Sequence, residues 1–385
     1  MTGRADVPLG VYVHVPFCLR KCIYCDFNSR PLDKGLAERY VKALVREARS
    51  RAPQCMERAA RASTLYLGGG TPTCLELEHL ARIIDACGES FALPADAEVT
   101  VECNPGTVDE EGLRLLRQVG ANRLSIGAQA FQDGLLRRMN RIHGVADTFR
   151  AVEAARAAGF ENLSLDLMFG LPGQTTADWE ETLEKTVGLG PEHVSAYALQ
   201  LEPGTPLARM VEDGSVRLPG EDDEVAMWDA AVDVLNAAGY ERYEISNYAR
   251  PGFRSAHNLI YWTGGDYIGL GAGACGRLGN TRTYNAASPE EYCAKVEAGM
   301  DPAESIEHLD GRTMMVETVI MGLRLAEGIS MEEFERRFGV SMHEAFPGAV
   351  ERLERRGLLM REGVRVKLTG KGFYLANVAF REFVD

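Results

Sequence analysis

The segment Cys18-Leu-Arg-Lys-Cys22-Ile-Tyr-Cys25 places three thiols within eight residues, directly behind the apolar run Val11-Tyr-Val-His-Val15. Cysteine thiolates are the usual protein ligands of iron–sulfur clusters. Three ligands on a four-iron cubane leave one iron without a protein ligand, and an open position on a metal is where chemistry takes place. The spacing is neither the four-cysteine ferredoxin run nor a zinc ribbon, which needs a second Cys or His pair. The alternative interpretation is three unrelated cysteines.

The bulk composition sets limits on where such a site would work. The chain has 385 residues, of which 45% are hydrophobic, enough for a large core and one or two domains. Its net charge of −14 disfavours nonspecific binding to nucleic acid or to an anionic bilayer. No apolar run approaches the roughly 18 residues of a membrane span, and the first residues lack the apolar core of a signal peptide. The nine Cys are scattered apart from the first three, which is typical of reduced thiols, so we expect a cytoplasmic protein.

Amphipathic helices and short β-rich runs alternate through the first two-thirds of the chain. In the predicted helix Lys34–Ser50, Leu36, Tyr40 and Leu44 share one face. This alternation indicates parallel βα units, in a barrel or a doubly wound sheet, and both place functional residues at the carboxyl ends of strands. After Val11–Val15, the predicted strands are Thr64–Leu67, Glu98–Glu102, Asn122–Ile126, Asn162–Met168, His193–Leu199 and Tyr243–Ser246.

The alternation ends at about residue 250. Residues 250–300 are rich in Gly, Asn and aromatic residues and show no clear helix before Pro289–Gly299. Further on, a capping box at Ser330-Met-Glu-Glu333 and a hairpin turn at Glu362-Gly363 give a winged-helix outline. From Glu307 to the end, 12 Lys and Arg stand against 13 Asp and Glu. Without a basic footprint, a packing or lid role is favoured over DNA binding.

Several polar or glycine-rich motifs follow predicted strands. The backbone N–H groups of Gly68-Gly-Gly-Thr-Pro-Thr73 could bind a carboxylate or phosphate, although an ordinary loop is the alternative. Glu102 could accept hydrogen bonds from ribose hydroxyls or could cap a loop. Asp166 is flanked by apolar residues within a strand, and a buried Asp is rare unless it is paired or functional.

The cysteine spacing, with Tyr24 before the last Cys, resembles the signature of the radical S-adenosylmethionine (SAM) enzymes. That resemblance implies that Cys18, Cys22 and Cys25 hold a [4Fe-4S] cluster, that SAM chelates the fourth iron, and that cluster reduction cleaves SAM to a 5′-deoxyadenosyl radical. The strand-end segments are similar to the coproporphyrinogen oxidase-like branch of these proteins over nearly the whole chain. The implied fold is α/β, a partial (β/α)6 barrel followed by a mainly helical, winged-helix-like domain.

The same resemblance divides the chain and assigns its SAM contacts. It implies a radical SAM barrel over residues 1–245, a glycine- and aromatic-rich segment over 246–305 and a helical domain over 306–385. In it, Gly69, Gly70 and Thr71 hold the amino group and carboxylate of SAM, Arg141 pairs with the carboxylate, and Glu102 and Asp166 hold ribose hydroxyls. The implied SAM contacts are Tyr12, Tyr24, Gly69, Gly70, Thr71, Glu102, Gln129, Arg141 and Asp166.

Two features separate this chain from the oxidases of that branch. Those oxidases carry a fourth Cys two residues after the third, where this chain has Phe27, and a longer segment before the cluster than the 17 residues preceding Cys18. The form Cys25-Asp-Phe-Asn28 resembles instead the HemW family of haem chaperones, as does His257-Asn-Leu-Ile-Tyr-Trp262.

In that family the His-Asn-x-x-Tyr-Trp element is associated with haem. An imidazole can ligate haem iron, while Tyr261 and Trp262 offer flat surfaces to a porphyrin; a buried loop with a hydrogen-bonded His257 is the alternative. Cys275 stands where relatives commonly have His, and it would either contribute a thiolate to the iron or have no role.

The resulting hypothesis is a haem chaperone that carries a SAM-capped [4Fe-4S] cluster and delivers haem to haem-accepting enzymes, including respiratory ones. The implied partners are haem, those acceptors and an electron donor for the cluster, with only transient membrane contact and no nucleic acid. Coproporphyrinogen oxidase activity is not expected. The alternatives are an oxygen-independent coproporphyrinogen III oxidase and a winged-helix regulator that senses SAM or redox state.

Overall fold

Alternating strands and helices form the first two-thirds of the protein, as the sequence predicts. The computed structural model describes residues 9–56 and 61–384, with the side chains of 54–56 left aside; residues 1–8, which the expected localisation used, lie outside this range. The elements of this region are β1 (Leu9–Val15), β2 (Phe17–Cys18), β3 (Arg30–Pro31), α1 (Lys34–Met56), β4 (Ala62–Gly69), a 3-10 turn (Pro72–Cys74), α2 (Leu77–Phe91), β5 (Glu98–Cys103), α3 (Glu110–Gln118), β6 (Arg123–Gln129), α4 (Asp133–Arg138), α5 (Val145–Ala157), β7 (Asn162–Phe169), α6 (Thr176–Leu189), β8 (His193–Ala198), α7 (Pro206–Glu212) and α8 (Glu221–Ala237).

Six of these strands form a parallel sheet in chain order, β1-β4-β5-β6-β7-β8. Alternate residues such as Leu65, Leu67 and Leu124 are fully buried in the apolar layer shared with the helices. Burying each of these side chains stabilises the folded state by about 1.5–3 kcal/mol relative to leaving it exposed to water. The residues between them, including Tyr66 and Ser125, face the concave side. Within the described residues β8 does not pair with β1, so the predicted partial barrel is confirmed as an open one.

Further strands extend this sheet at both edges into a twelve-stranded sheet with the order β14-β13-β12-β11-β1-β4-β5-β6-β7-β8-β10-β9. The strand added next to β1 runs parallel to it. All other strand pairs of the extension, including the pair that β8 forms at the other edge, are antiparallel. The elements of this region are β9 (Glu241–Arg242), β10 (Asn247–Ala249), α9 (Ala256–Trp262), β11 (Asp266–Leu270), β12 (Cys275–Leu278), β13 (Thr281–Asn285), α10 (Pro289–Glu297) and β14 (Ala303–His308).

Two predictions about this extension are wrong. The expected strand Tyr243–Ser246 is a bend between β9 and β10, because the buried Glu244 carboxylate accepts from Ser246 N–H (2.9 Å) and Asn247 Nδ2 (2.6 Å). Helix α9 was expected to be absent. Helix α9 forms because the carboxylate of Glu98, which is distant in sequence, accepts hydrogen bonds from the N–H groups of Ala256 and His257 at 3.0 and 2.9 Å. These are the first two residues of the helix, whose N–H groups have no partner within it.

The C-terminal part packs around a second apolar cluster that includes Leu323, Phe334, Leu353 and Phe383. The predicted helices and hairpin are present, and Ser330 Oγ accepts from Glu333 N–H at 3.2 Å, as an N-cap does. Within the described ranges, no helix has the length and hydrophobicity of a membrane span. The elements are α11 (Gly311–Arg324), β15 (Ile329–Ser330), α12 (Met331–Phe338), α13 (Met342–Ala345), α14 (Ala349–Arg355), β16 (Leu359–Glu362), β17 (Arg365–Leu368), α15 (Gly370–Tyr374) and α16 (Ala376–Val384).

Candidate functional site

The three cysteines of the opening motif lie on a loop at the carboxyl end of β1. Cys18 is buried at the end of β2, whereas Cys22 and Cys25 are half-buried. Ile23, between them, anchors the loop: its N–H donates to Met139 O after α4, and its carbonyl accepts from Leu207 N–H in α7. The loop is therefore held from both sides at the end of the sheet where parallel α/β folds place their functional residues.

Two hydrogen-bond donors point at the sulfurs. Thr71 Oγ1 lies 3.5 Å from Cys18 Sγ, and Arg141 Nη1 lies 3.4 Å from Cys22 Sγ. Burial raises the pKa of the Cys18 and Cys25 thiols above the ordinary value. Donors to sulfur stabilise a thiolate, the form that binds metals, and both Thr71 and Arg141 lower the pKa of Cys18 against the effect of burial.

The cysteine loop does not focus its donors on a single point. In the part of the chain that the structure describes, no three His, Cys, Asp or Glu side chains converge closely enough to hold one metal ion. Thiolates on a four-iron cubane bind three different irons and are therefore spread around the cluster. Three thiols with hydrogen-bond donors beside two of the sulfurs are a donor set that suits an iron–sulfur cluster.

The glycine-rich turn after β4 packs against the backbone that leads into the cysteine loop. Gly70 and Thr71 N–H groups donate to Val15 O (2.9 Å) and Phe17 O (2.7 Å). A Cβ on Gly70 would lie 2.5 Å from Phe17 O, and Gly69 has a φ of +104°. The glycines are required for this close approach. Because these N–H groups already have partners, a ligand here would be bound by the Thr71 hydroxyl and by backbone carbonyls.

Two carboxyl groups predicted to bind ribose face the concave side of the sheet. Glu102 accepts from Tyr66 Oη at 2.7 Å and from Gly69 N–H at 3.1 Å, and Asp166 accepts from Ser125 Oγ at 2.8 Å. Burial raises the pKa of Glu102 to about 7, and it also raises the pKa of Asp166. Each carboxylate oxygen retains a lone pair for a further donor.

Arg141 is joined to the glycine-rich turn by a residue that the sequence did not single out. Asn104 donates through Nδ2 to Thr71 Oγ1 (2.8 Å) and accepts through Oδ1 from Arg141 Nη2 (2.5 Å). Arg141 Nη2 also donates to Gly127 O at 2.6 Å. In the sequence, the only sign of Asn104 is its position two residues after Glu102, at the end of a predicted strand. Asn104 therefore connects Thr71 with Arg141, two predicted SAM contacts, and Arg141 in turn contacts the sulfur of Cys22.

The remaining predicted SAM contacts take different positions. Tyr24 lies on the cysteine loop, where burial raises its pKa. Gln129 ends β6 with a φ of +66°, a rare conformation for a residue other than glycine. Tyr12 lies within β1, and its hydroxyl is 2.9 Å from Nδ1 of His14. The other ring nitrogen of His14, Nε2, is 2.8 Å from the carbonyl oxygen of Asn28 on the cysteine loop. Tyr12 is thus linked to the loop through His14 rather than directly.

The predicted haem residues lie near the opposite end of the strands. His257, in α9, is 1% exposed; its Nδ1 is 2.7 Å from Thr64 Oγ1 and its Nε2 is 2.8 Å from Tyr261 Oη. Its ring stacks on Tyr66 with centroids 5.1 Å apart. Burial lowers its pKa to about 3, so the ring is neutral. Both ring nitrogens already have hydrogen-bond partners in this arrangement.

Tyr267, which the sequence analysis missed, connects the other members of this group. Its ring meets Tyr261 edge-on with centroids 4.7 Å apart, and its hydroxyl is 3.7 Å from Cys275 Sγ. Trp262 lies beside Tyr261 and is covered by the Arg324 guanidinium 4.3 Å above its ring. The structure therefore brings His257, Tyr261, Trp262 and Cys275 into one continuous patch. The residues are separated in sequence by β11, so spacing alone could not identify the patch.

Comparisons with known proteins were consistent across the chain. The model of the radical SAM superfamily matches residues 12–186, and the model of the HemN C-terminal domain matches residues 309–375. The haem chaperone HemW of Bacillus subtilis is 36% identical over 376 residues, covering 97% of this chain and 99% of that protein. HemW of Escherichia coli is 40% identical over 275 residues, 70% of each chain. The solved structure of the Escherichia coli coproporphyrinogen III oxidase HemN, a radical SAM enzyme, has a TM-score of 0.85 and 25% identity over 98% of this chain and 90% of its own.

Proposed function

Because this chain belongs to the HemW family within the radical SAM superfamily, we propose that it is a haem chaperone that binds haem and delivers it to haem-requiring proteins. Membership of the superfamily implies a [4Fe-4S] cluster and SAM as cofactors. The observation that carries the proposal is near full-length similarity to HemW, joined to a three-thiol loop with Phe27 in place of a fourth cysteine.

We propose Cys18, Cys22 and Cys25 as the cluster ligands. When bound, the cluster would supply the electron that cleaves SAM reductively. The protein contributes a loop anchored through Ile23, a hydroxyl donor from Thr71 and a guanidinium donor from Arg141. These donors would hold the sulfurs as thiolates and orient them before the cluster is inserted.

The SAM site would extend from the cysteine loop along the strand ends. Thr71 and Arg141 would bind the methionyl end, since both already lie beside the sulfurs. Glu102 and Asp166 would accept the ribose hydroxyls through their remaining lone pairs. The walls of the SAM site would be formed by Tyr24, Gln129, Gly69 and Gly70. Tyr12 would support the cysteine loop through its contact with His14.

We propose that haem is retained at the patch formed by Tyr261, Trp262, Tyr267 and Cys275, with His257 behind it. Aromatic faces suit a porphyrin. Ligation of iron by His257 Nε2 would require its 2.8 Å hydrogen bond with Tyr261 Oη to open. Cys275 is half-buried, and burial raises its thiol pKa, so it would need to lose a proton before it binds iron.

The wider setting follows from the same proposal. We propose cytoplasmic haem transfer to acceptors that include respiratory enzymes, with a separate electron donor for the cluster and transient contact with the membrane. The net charge of −14 argues against nucleic acid as a partner.

Haem transfer is the direct test. Haem-loaded protein is mixed anaerobically with an apo-haemoprotein, and the acceptor's absorption spectrum is followed with and without SAM and reductant. Transfer faster than from free haem would support a chaperone. Retention of all haem by the donor protein would contradict it.

Coproporphyrinogen III oxidase activity is the second candidate, because the fold matches HemN with a TM-score of 0.85. Anaerobic turnover of coproporphyrinogen III with SAM and reductant separates the two, with Cys22→Ala as the control. We expect no product. Protoporphyrinogen formed at catalytic rates would make the protein an oxidase.

A further inference from the structure

Arg123 is a buried arginine that has no carboxylate partner among the residues that the structure describes. It begins β6, faces the concave side of the sheet and is 2% exposed. Its guanidinium makes no ion pair with any described carboxylate, and its Nε has no hydrogen-bond partner. Burying a charge without a partner is unfavourable, so the position requires a reason beyond packing.

The strands on either side of β6 carry the two acidic groups of the proposed SAM site. Arg123 pairs in register with Thr100 on β5, two residues before Glu102, and with Asn162 on β7, four residues before Asp166. Residues two apart on a strand face the same side and are separated by about 6–7 Å. Arg123 thus lies one such step below Glu102 and two steps below Asp166, and its charge reaches both carboxyls without occupying their oxygens.

Most other ionisable groups around these three residues are uncharged. Burial raises the pKa of the tyrosines and of Cys103, and it lowers the pKa of both histidines, so all of them are neutral at pH 7. The charge of Arg123 lowers the pKa of Glu102 and of Asp166, against the effect of burial. The ionisable groups that face Glu102 are Tyr12 (β1), Tyr66 (β4), Asp166 (β7) and Tyr261 (α9). The ionisable groups that face Asp166 are Tyr66, Glu102, Cys103 (β5) and Tyr197 (β8). The ionisable groups near Arg123 also include His193 (β8), Tyr243 and His257 (α9).

We propose that Arg123 is a positioning residue for SAM, which favours the ionised forms of Glu102 and Asp166 against the effect of burial while leaving their oxygens free to accept the ribose hydroxyls. A direct ion pair would supply the same positive charge but would fill the lone pairs that the ribose needs. The inference rests on the proposed SAM site. It adds that affinity for the nucleoside part of SAM depends on a cation that does not touch it.

The test measures SAM binding to anaerobically reconstituted full-length protein by equilibrium dialysis between about pH 6 and about pH 9. In Arg123→Met the carboxyl pKa values rise, so the ionised fraction falls most at the acidic end. An upward shift of about one pKa unit corresponds to about a tenfold loss of the ionised form below the pKa. We expect about tenfold weaker binding near neutral pH, recovering as the pH rises. Arg123→Lys keeps the charge and should restore binding.

A matched control and a double mutant isolate the electrostatic part. Thr100→Val changes the neighbouring side chain at the same level without changing charge, and its pH profile should equal that of the unsubstituted protein. In a Glu102→Gln background, one of the two carboxyls no longer titrates, so the further loss caused by Arg123→Met should shrink. Cluster absorbance and thermal unfolding verify that each variant is folded.

Several outcomes would overturn the inference. Binding by Arg123→Met that equals the unsubstituted protein at every pH removes Arg123 from the site. A loss that is constant with pH, or that Arg123→Lys does not restore, assigns it a packing role only. Should Arg123→Met not fold, Arg123→Gln carries the same expectation. Absence of SAM binding by the unsubstituted protein would instead contradict the proposed function.

Discussion

The two ends of the same parallel strands lie beside two short motifs that both contain potential metal ligands and that differ in structure. At the carboxyl end, Cys22 and Cys25 are half-buried and their sulfurs are not held in a disulfide. Near the opposite end, His257 is buried, and both of its ring nitrogens have hydrogen-bond partners. The cysteine loop is the proposed ligand site, whereas the histidine is already part of a closed hydrogen-bond network. A short motif of metal-binding residues therefore indicates where to look, and the partners of its atoms decide what it can bind.

Removing one thiol from the carboxyl end should have the largest effect. In Cys22→Ala the cluster loses one of three ligands, so iron and sulfide content and the visible absorbance of the reconstituted protein should fall to background. Far-ultraviolet circular dichroism should be unchanged because Cys22 is only half-buried. Cys74→Ala, which removes a thiol of similar exposure outside the loop, is the control. A cluster retained at full occupancy in Cys22→Ala would contradict the ligand assignment.

Removing the imidazole from the other end should lower stability first. His257→Ala deletes a buried ring and leaves Thr64 and Tyr261 without their partner. We expect a loss on the order of 4 kcal/mol in the free energy of unfolding, measured with urea. Haem retention should weaken as well, since Tyr261 belongs to the proposed patch.

Tyr261→Phe separates the two roles of His257. It removes the hydroxyl and frees Nε2 while keeping the ring and most of the stability. If Nε2 ligates iron, haem should bind at least as tightly in this variant as in the unsubstituted protein, with the same absorption bands. Unchanged bands in His257→Ala would remove His257 from the haem site.

Glu102 ties the two ends together, because its partner Tyr66 stacks on His257. Its pKa rises from 4.5 to about 7 through burial, so the folded state favours the protonated acid. The stability associated with the neutral form is present at acidic pH and is lost as the pH rises through about 7. Glu102→Gln should therefore stabilise the protein by about 3 kcal/mol at most at alkaline pH. It should have little effect near pH 4, and SAM affinity should fall. Equal stability of the two proteins across the range would show that the carboxyl is not destabilised by burial.

The smallest effect is expected at Phe27, the residue in the place of a fourth cysteine. Its side chain is 63% exposed, so Phe27→Ala should change the free energy of unfolding by less than about 0.5 kcal/mol. Cluster content should remain at the level of the unsubstituted protein. A marked loss of cluster would mean that Phe27 covers the bound cluster and contributes to holding it.

Local patterns were enough to predict much of this arrangement. The alternation of apolar faces predicted the parallel strands, and the position of Cys18 after β1 placed the cysteine loop at the correct end of the sheet. Glu102 and Asp166 were candidates because each is an acid at or near a strand end, and their predicted role in SAM binding came from the family resemblance.

Features that depend on distant partners were not predictable. Helix α9 is capped by Glu98, about 160 residues earlier in the chain, and the bend at Tyr243–Ser246 depends on the burial of Glu244. Asn104 and Tyr267 matter because of the residues they join, and Arg123 because of a partner it lacks. Such roles arise only when separate strands are brought together.

The open form of the sheet has a consequence for how copies of the protein meet. Among the described residues β14 pairs with β13 alone, so its outer side presents unpaired backbone donors and acceptors. A free strand of this kind invites edge-to-edge addition of another molecule. Glu304 and Glu307 lie on β14 and are exposed, and Arg282 on β13 offsets part of the charge of Glu307 at 3.1 Å. The remaining negative charge would make two such edges repel each other. Raising the salt concentration or neutralising both glutamates should therefore increase self-association at high protein concentration.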